Sequence, residues 1–306
     1  MDQDECQRCG SWGPRGFGVG DCRFEDGCRF NDHGLRFGYT MDNTMTDPLV
    51  LRCDANRTAT LTLNAPKSLN ALSAAMIAAL QDQITALAGD NTIRVVILRG
   101  AGKAFCAGHD LREMQAARTG VDLGRGYFTA LFQDCSALMQ AITALPQPVI
   151  AAVHGVAAAG GCQLAASCDL IVAADTARFG VNGVNIGLFC STPMVALLRK
   201  VPPAVAFEML TTGEFISAAR AREVGLVNQL AMPDSLMDVA SALAARLAAK
   251  LPVAMRLGKA AFHAQLGMPL AQAYACAGQV MVENLAQPDT AEGMAAFLDK
   301  RAPDWH

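Results

Sequence analysis

The pattern of apolar and polar residues becomes regular from about residue 50. Thr58–Leu63 alternates apolar and polar side chains, as a half-buried strand does. Residues 95–99 and Val149–Val153 are short apolar runs rich in β-branched residues, which predict buried strands. Residues 73–87 carry apolar side chains at helical spacing, and Ser73 suits the N-cap of that helix. Strands and helices therefore alternate from the start of this region.

The same alternation continues to the end of the chain and predicts an α/β fold. Residues 122–145 predict a long helix that Pro146 and Pro148 bring to an end. Gly160–Ser167 predicts a helix, and residues 169–173 predict the next strand. Further helices are predicted at 207–210, 218–224, 235–251 and through most of 252–298. No low-complexity linker divides residues 49–306.

Residues 1–48 lack such a pattern and are rich in Cys, Gly and Arg. One hypothesis is a small metal-binding knuckle, with Cys6 and Cys9 joined by Cys22, Cys28 or His33. The other is a disordered N-terminal extension, or upstream sequence ahead of a start at Met41 or Met45. We favour the second hypothesis, because the later cysteines lack the short spacing that is typical of zinc sites.

Composition excludes several classes of protein. The chain of 306 residues is 52% hydrophobic and 17% charged, as in a globular protein with a large core. A net charge of −3 gives no basic surface for nucleic acid. Residues 149–174 are the most apolar, but His154, Gln163 and Asp169 interrupt them, so we predict no membrane insertion. No signal peptide is evident, and most cysteines have apolar neighbours, which indicates reduced thiols in the cytoplasm, or in the mitochondrial matrix of a eukaryote. No metal or redox cofactor is predicted.

Two loops of small residues carry the candidate chemistry. Each loop, 107–109 (Ala-Gly-His) and 159–161 (Ala-Gly-Gly), follows a predicted strand and leads into a predicted helix. Small residues allow a backbone N–H group to approach a ligand closely, and a helix N-terminus adds positive potential. Two such donors aimed at one thioester carbonyl would form an oxyanion hole, which stabilises the negative oxygen of an acyl-CoA reaction.

The order of the motifs resembles the enoyl-CoA hydratase/isomerase (crotonase) family over about residues 50–306. The matching segments are 66–72 (PKSLNAL), 105–111 (FCAGHDL), 148–155 (PVIAAVHG), 160–162 (GGC), 168–173 (CDLIVA), 179–180 (FG), 212–213 (TG) and 218–227. The resemblance implies a spiral of ββα units over 49–235, followed by a helical C-terminal region over 236–306 that forms trimers or hexamers. The Ala-rich helix at 235–251 suits burial in such an assembly, although burial within its own chain would give the same pattern.

The resemblance also assigns roles to residues. It places the backbone N–H groups of His109 and Gly160 in the oxyanion hole, and coenzyme A enters only as part of the substrate. Asp110 is expected to cap the helix that follows. The residues expected to contact the coenzyme A part of the ligand are Lys67, Ser68, Leu69, Ala107, Asp110, Leu111, Arg112 and Lys300. For Lys300, a solvated charge is almost as good an interpretation.

Two acids of the family are missing. Hydratases of this family use two glutamates to activate water, and this chain has Gln163 and Gly183 at those positions. An amide orients water or substrate but takes no proton at neutral pH, so we assign Gln163 to positioning. The ring of His109 is a candidate base, or it points to solvent or to coenzyme A. Cys190 is a candidate nucleophile, but packing is the favoured interpretation.

Three hypotheses about function follow. The first is an enoyl-CoA hydratase/isomerase-like enzyme of fatty-acid or acyl-CoA metabolism, in the lyase or isomerase class, that stabilises a thioester enolate. The second is a non-catalytic protein that binds acyl-CoA or regulates a partner. The third is another reaction of the crotonase fold, such as thioester hydrolysis or decarboxylation. The missing acids favour the last two hypotheses, and the oxyanion loops favour the first and third.

Overall fold

The computed structural model describes residues 47–305, so Cys6, Cys9, Cys22, Cys28 and His33 of the knuckle hypothesis lie outside it. The strands are β1 Val50–Ala55, β2 Thr58–Leu63, β3 Val95–Gly100, β4 Ala104–Cys106, β5 Val149–Val153, β6 Val156–Ala158, β7 Leu170–Ala174, β8 Arg178–Gly180, β9 Ile216–Ser217 and β10 Gln229–Ala231. The helices are α1 Ala74–Ala88, α2 Leu111–Ala117, α3 Arg125–Ala144, α4 Gly160–Ser167, α5 Ser191–Leu197, α6 Pro203–Thr212, α7 Ala218–Glu223, α8 Leu236–Ala248, α9 Pro252–Gln265, α10 Leu270–Leu285 and α11 Pro288–Leu298.

The strands form two sheets. A six-stranded sheet has the order β1-β2-β3-β5-β7-β10, antiparallel between β1 and β2 and parallel elsewhere. A four-stranded sheet has the order β4-β6-β8-β9. Successive strands alternate between the sheets, so that β3, β5 and β7 lie in the first and β4, β6 and β8 in the second. This is the predicted α/β spiral of ββα units.

Helices cover both faces of the larger sheet. On one face, α1, α3 and α4 pack with the sheet into the main core, which includes Leu61, Leu98 and Ile171. On the other face, α8 packs its small apolar residues against β3, β5 and β7. Helix α8 is therefore buried within its own chain, which was one of the two alternatives for residues 235–251. Burial on both faces explains why these strands are continuously apolar.

Local hydrogen bonds account for the helix and strand boundaries. The side chain of Ser73 accepts from the amide of Met76 and caps α1, as predicted. The long helix begins at Arg125 rather than at residue 122, because the carboxylate of Asp122 accepts hydrogen bonds at 2.9 and 2.8 Å from the amides of Gly124 and Gly126. Asp169 precedes β7 because its side chain accepts from Val149 N of the neighbouring strand at 2.7 Å.

The C-terminal helices α9, α10 and α11 form a separate layer in which α9 and α10 have no fully buried residue. A polar cluster joins this layer to the core. Lys259 of α9 donates to the carboxylate of Asp169 at 2.7 Å and to the carbonyl of Gln147 at 3.0 Å, and His263 lies 3.1 Å from the other oxygen of Asp169. Lys200 donates to the backbone carbonyl of Asp169 at 2.9 Å. Between residues 47 and 305, no helix combines the length and apolarity needed to cross a membrane.

Candidate functional site

The first oxyanion loop runs from the end of β4 to the start of α2. Leu72 N donates to Gly108 O at 2.8 Å, and Asp110 N donates to Leu72 O at 3.4 Å, which forms a parallel bridge between Leu72 and His109. These bonds use the groups on either side of His109, so the amide of His109 points away from Leu72. Asp110 accepts from the amides of Arg112 and Glu113 and caps α2, as predicted.

The second loop runs from β6 into α4. Ala159 has φ 46° and ψ −115°, a conformation that is rare for a residue with a side chain, and its amide donates to Gly180 O at 2.8 Å. Gly160 is the first residue of α4, so its amide has no partner within the helix. In the described part of the chain, neither Gly160 N nor His109 N has a backbone or side-chain acceptor. Both amides are thus free to bind a ligand.

The two loops lie against each other with little room between them. A Cβ atom placed on Gly108 would lie 3.1 Å from Gly160 N and 2.9 Å from Ala158 O, and Gly108 has φ +91°. A Cβ atom placed on Gly160 would lie 3.4 Å from Cδ2 of His109. Glycine at 108 therefore leaves space beside the amide of Gly160, and a Cβ atom on Gly160 would meet side chains rather than an amide.

The imidazole of His109 is turned into the protein. It packs edge-on against Phe132 of α3, with ring centroids 5.4 Å apart, and it lies beside Gly160. Both ring nitrogens are buried, and neither has a hydrogen-bond partner among residues 47–305. Burial lowers the pKa of His109 below its ordinary value, so the ring is predominantly neutral at pH 7. The sequence left open whether this ring is a candidate base or points to solvent or coenzyme A. In the structure its nitrogens are buried, and the ring lies beside the candidate oxyanion hole.

Gln163 lies one helical turn after Gly160 on the same face of α4. Its side chain is only 4% exposed, and its Oε1 atom has no partner among the described residues. A buried acceptor without a partner is costly, so this oxygen is a position where a ligand donor or a water molecule would bind. The positioning role of Gln163 stays a prediction.

The position of the second missing glutamate is closed. Gly183 lies in the 3₁₀ helix Asn182–Ile186, and a Cβ atom there would collide with the carbonyl oxygen of Leu188 and lie 2.8 Å from Sγ of Cys190. Leu188 N also donates to Gly183 O at 2.9 Å, which holds the loop in place. The loop over residues 187–190 thus fills the space that a side chain at position 183 would need.

Cys190 is a packing residue. It is buried, and burial raises the pKa of its thiol, so the nucleophilic thiolate is scarce at neutral pH. No described hydrogen bond joins it to a base. Asn185 is exposed and donates to Gly213 O at 3.3 Å, away from the buried groups of the site.

The segment predicted to contact coenzyme A is joined directly to the first oxyanion loop. Ala107 N donates to Leu69 O at 3.0 Å, and Leu69 has φ 55°. The buried side chain of Asn70 holds this turn: its Nδ2 donates to the carbonyls of Ala101 and Ala104 at 2.8 Å, and its Oδ1 accepts from Ala65 N at 2.9 Å. The sequence motif contains Asn70, but its role as the clamp of this turn becomes evident only in the structure.

Most of the predicted coenzyme A contacts are available to a ligand. Lys67, Ser68, Leu69, Leu111 and Arg112 are exposed, whereas Ala107 and Asp110 are half-buried.

Lys300 is exposed just after α11, with φ 54°. Within residues 47–305, no hydrogen bond or ion pair joins its side chain to the segments at 67–69 or 107–112. Backbone hydrogen bonds thus join the segment at 67–72 to the first oxyanion loop, and the contact of these residues and of Lys300 with coenzyme A stays a prediction.

The comparisons with known proteins show the family of the chain. A family model described as enoyl-CoA hydratase/isomerase matches residues 54–306. The chain belongs to the enoyl-CoA hydratase/isomerase family. This confirms the resemblance seen in the sequence motifs and the crotonase-type fold.

The relatives also show the subgroup within the enoyl-CoA hydratase/isomerase family. The mitochondrial enoyl-CoA hydratase domain-containing protein 3 of Homo sapiens is 46% identical over 245 residues, which are 80% of this chain and 79% of that protein. Its crystal structure has a TM-score of 0.79 and 43% identity, covering 84% of this chain and all of that one. The enoyl-CoA hydratase of Mycobacterium smegmatis has a TM-score of 0.81 and 50% identity, covering 85% of this chain and all of that one. The motif combination at residues 108–110, 159–169 and 183–193 indicates the same subgroup.

Proposed function

We propose that this protein binds an acyl-CoA thioester and stabilises an enolate oxygen of that thioester with the backbone amides of His109 and Gly160. The observation that carries the proposal is the pair of free amides on adjacent loops, with glycine at 108, where a Cβ atom would lie 3.1 Å from Gly160 N. Enolate stabilisation by two aligned donors lowers the barrier to reactions at the carbon next to the thioester. The protein then acts as an enoyl-CoA hydratase/isomerase-like enzyme of fatty-acid or acyl-CoA metabolism, in the lyase or isomerase class.

The route through two glutamates is not available to this chain. Gln163 is an amide, and Gly183 has no room for a side chain. These observations favour two further candidates: a protein that binds acyl-CoA without turnover, and a decarboxylation or thioester hydrolysis that needs the oxyanion hole but not those two acids. In each case coenzyme A is part of the ligand, with no separate cofactor.

The exposed C-terminal helices support the proposed trimer or hexamer. Phe297 and Leu298 of α11 are 82% and 77% exposed, and α9 and α10 also present apolar side chains, among them Phe262 and Tyr274. An exposed apolar surface of this extent marks a protein contact. The mass of the purified protein in solution would test this, and a monomer at all concentrations would contradict it.

The location predicted from the sequence, the cytoplasm or the mitochondrial matrix of a eukaryote, stays a prediction. The curated relative from Homo sapiens is named a mitochondrial protein. That name favours the matrix if the source is a eukaryote.

The test of function compares two substitutions at one position. Gly160→Pro removes the amide hydrogen at the first position of α4, where helices tolerate proline. Gly160→Ala adds a Cβ atom but keeps the amide, so it is the matched control. Wild type and both variants are incubated with 2-enoyl-, 3-enoyl- and saturated acyl-CoAs, and thioester absorbance, product mass and acyl-CoA binding are followed.

We expect Gly160→Pro to lose about 100-fold or more of the wild-type turnover and Gly160→Ala to lose far less. Equal losses in both variants would contradict a role for the amide. Tight binding without turnover of any acyl-CoA by the wild type would leave the binding protein as the better candidate. Circular dichroism of both variants controls for misfolding, because the conformation of Ala159 is not one that residues before proline prefer.

A further inference from the structure

The imidazole of His109 is a titratable side chain that lies directly against the candidate oxyanion hole. A Cβ atom on Gly160 would lie 3.5 Å from Nε2 of His109, so this nitrogen is next to the backbone of the second donor residue. The amide of His109 itself is the first donor. The ring is therefore attached to one side of the oxyanion hole and contacts the other.

Both ring nitrogens are buried without a hydrogen bond of good geometry, although the carbonyl of Leu72 lies near enough to act on the ring. Buried polar atoms in folded proteins almost always have a hydrogen-bond partner, so such a pair calls for an explanation. The ring of Phe132 packs against one side of the imidazole. The side chain of Leu72, like the imidazole, lies close to Gly160. A bound acyl group that presents a C–H or O–H group to this ring would use the unpaired nitrogen.

The geometry of a thioester then determines what the ring meets. When the thioester oxygen accepts from the two amides, the carbon next to the carbonyl lies one bond further along the acyl chain. We expect that carbon to lie close to the side chains near Gly160, which include the ring of His109 and, one helical turn further on, Gln163. Of these two, only the imidazole exchanges protons near neutral pH.

We propose that the neutral imidazole of His109 takes a proton from the carbon next to the thioester carbonyl and returns it to that carbon. The C–H electron pair becomes the C=C bond of the enolate, and the carbonyl pair moves to the oxygen held by the amides of His109 and Gly160. The ring nitrogen gains the proton and becomes imidazolium, and the reverse step restores both partners. No oxidant, metal or second substrate is needed. This inference rests on the proposed enolate stabilisation.

Burial is the largest cause of the lowered pKa of His109, and the causes include no charged side chain. The charged and titratable side chains on the elements packed around it are Asp110 before α2, Arg112 and Glu113 of α2, Arg125, Tyr127, Asp134 and Cys135 of α3, Cys162 of α4 and Cys106 of β4. Asp110 caps α2, and Glu113 accepts from the hydroxyl of Tyr127 and from Ala74 N, each at 3.0 Å. Burial raises the pKa of Cys135 to about 11, and that of Cys162 and of Cys106 to about 12, so these thiols carry no charge at neutral pH.

The protonation state of the imidazole is therefore determined mainly by its burial. Burial lowers the pKa of His109, and the nearby carbonyl of Leu72 opposes this shift. Above that pKa the ring is a free base, and below it the proton blocks the nitrogen. The rate of a proton transfer to His109 should rise with pH and level off, with its midpoint below the ordinary histidine value of about 6.5.

The experiment measures deuterium exchange into a saturated acyl-CoA, butanoyl-CoA, in D₂O by mass spectrometry. Wild type is compared with His109→Gln, which keeps the backbone amide and a polar side chain but takes no proton. Binding of butanoyl-CoA is measured separately by calorimetry. His109→Ala is examined with and without added imidazole, which fits the space left by the missing ring.

We expect His109→Gln to lose about 100-fold or more of the exchange rate while binding changes only a few-fold. Imidazole should partly restore exchange to His109→Ala, and the wild-type rate should level off with a midpoint below pH 6.5. If His109→Gln does not fold, the imidazole rescue of His109→Ala decides the question, and absence of rescue counts against the proposal.

Exchange by His109→Gln at nearly the wild-type rate would overturn the role of the ring and leave the oxyanion hole intact. A wild-type protein that binds butanoyl-CoA without any exchange would overturn both this inference and the enolate proposal. Failure to bind any acyl-CoA would instead show that the proposed function itself is wrong.

Discussion

Position 183 gives the sharpest test of how this site differs from a two-glutamate hydratase. A Cβ atom on Gly183 would collide with the carbonyl oxygen of Leu188 and lie 2.8 Å from Sγ of Cys190. The first neighbour is backbone, and the hydrogen bond from Leu188 N to Gly183 O ties it to the same residue. The loop over 187–190 can therefore yield only by breaking that bond.

The expected cost of Gly183→Ala follows from these contacts. Overpacking a rigid site costs about 1–3 kcal/mol, and loss of the loop hydrogen bond adds about 1 kcal/mol. At roughly 2–4 °C per kcal/mol for a chain of this size, the melting temperature should fall by at least about 4 °C. Gly258→Ala is the control, because Gly258 lies within α9 with no atom within 4 Å of the added carbon, and it should gain about 0.5–1 kcal/mol.

The assay pairs urea unfolding with hydration of a short 2-enoyl-CoA. Restoring both family acids in the double variant Gln163→Glu/Gly183→Glu should give no more hydration than Gln163→Glu alone, because a glutamate at 183 displaces the loop instead of reaching the substrate. A stable Gly183→Ala protein with wild-type unfolding would refute the steric argument. Fast hydration by the folded double variant would show that the loop adapts and that the missing acids alone separate this chain from a hydratase.

Three further predictions concern groups around the site. Asp169→Asn should lower the free energy of unfolding by about 3–5 kcal/mol, because the Lys259 ammonium would stay buried without its counter-ion. Burial acts to raise the pKa of Asp169, but hydrogen bonds from His263 and Lys259 and the charge of Lys259 hold it below the usual value. This stabilisation should therefore be full above about pH 4 and lost as the pH falls further; equal free energies of unfolding in wild type and variant would contradict the pairing. Asn70→Asp should lower stability by about 2–3 kcal/mol and weaken acyl-CoA binding, because two backbone carbonyls lose their donor, and unchanged melting and affinity would exclude the clamp. In alkylation followed by peptide mass mapping, exposed Cys53 should react before Cys162, whose pKa burial raises to about 12, and early labelling of Cys162 would show that the core opens.

The sequence was sufficient to predict elements whose signal is local. The alternation of Thr58–Leu63, the N-cap at Ser73 and the strand Val149–Val153 are all present as predicted. The long helix was predicted three residues too early, because the hydrogen bonds of Asp122 to the following turn were not considered. The single helical region over 252–298 consists of three helices, α9, α10 and α11.

The missing information about the site was spatial. The motifs identified both loops and the residues Gln163 and Gly183, but periodicity cannot show that the ring of His109 turns toward Gly160 or that Leu188 closes position 183. These facts depend on contacts between segments that are dozens of residues apart in the sequence. The ion pair between Asp169 and Lys259, which are 90 residues apart, was missed for the same reason.

The attachment of α9 through Asp169 has a consequence for how this protein can be recombined with its relatives. The turn that carries Asp169 follows α4 directly, and α4 begins with the oxyanion residue Gly160. A chimera that took its C-terminal helices from a relative without Lys259 and His263 would keep the loops of the site but leave the buried carboxylate of Asp169 without the ammonium group and the imidazole that it contacts. Helix α9 and the turn at Asp169 should therefore be exchanged together, although Lys259 and Asp169 are 90 residues apart in the sequence.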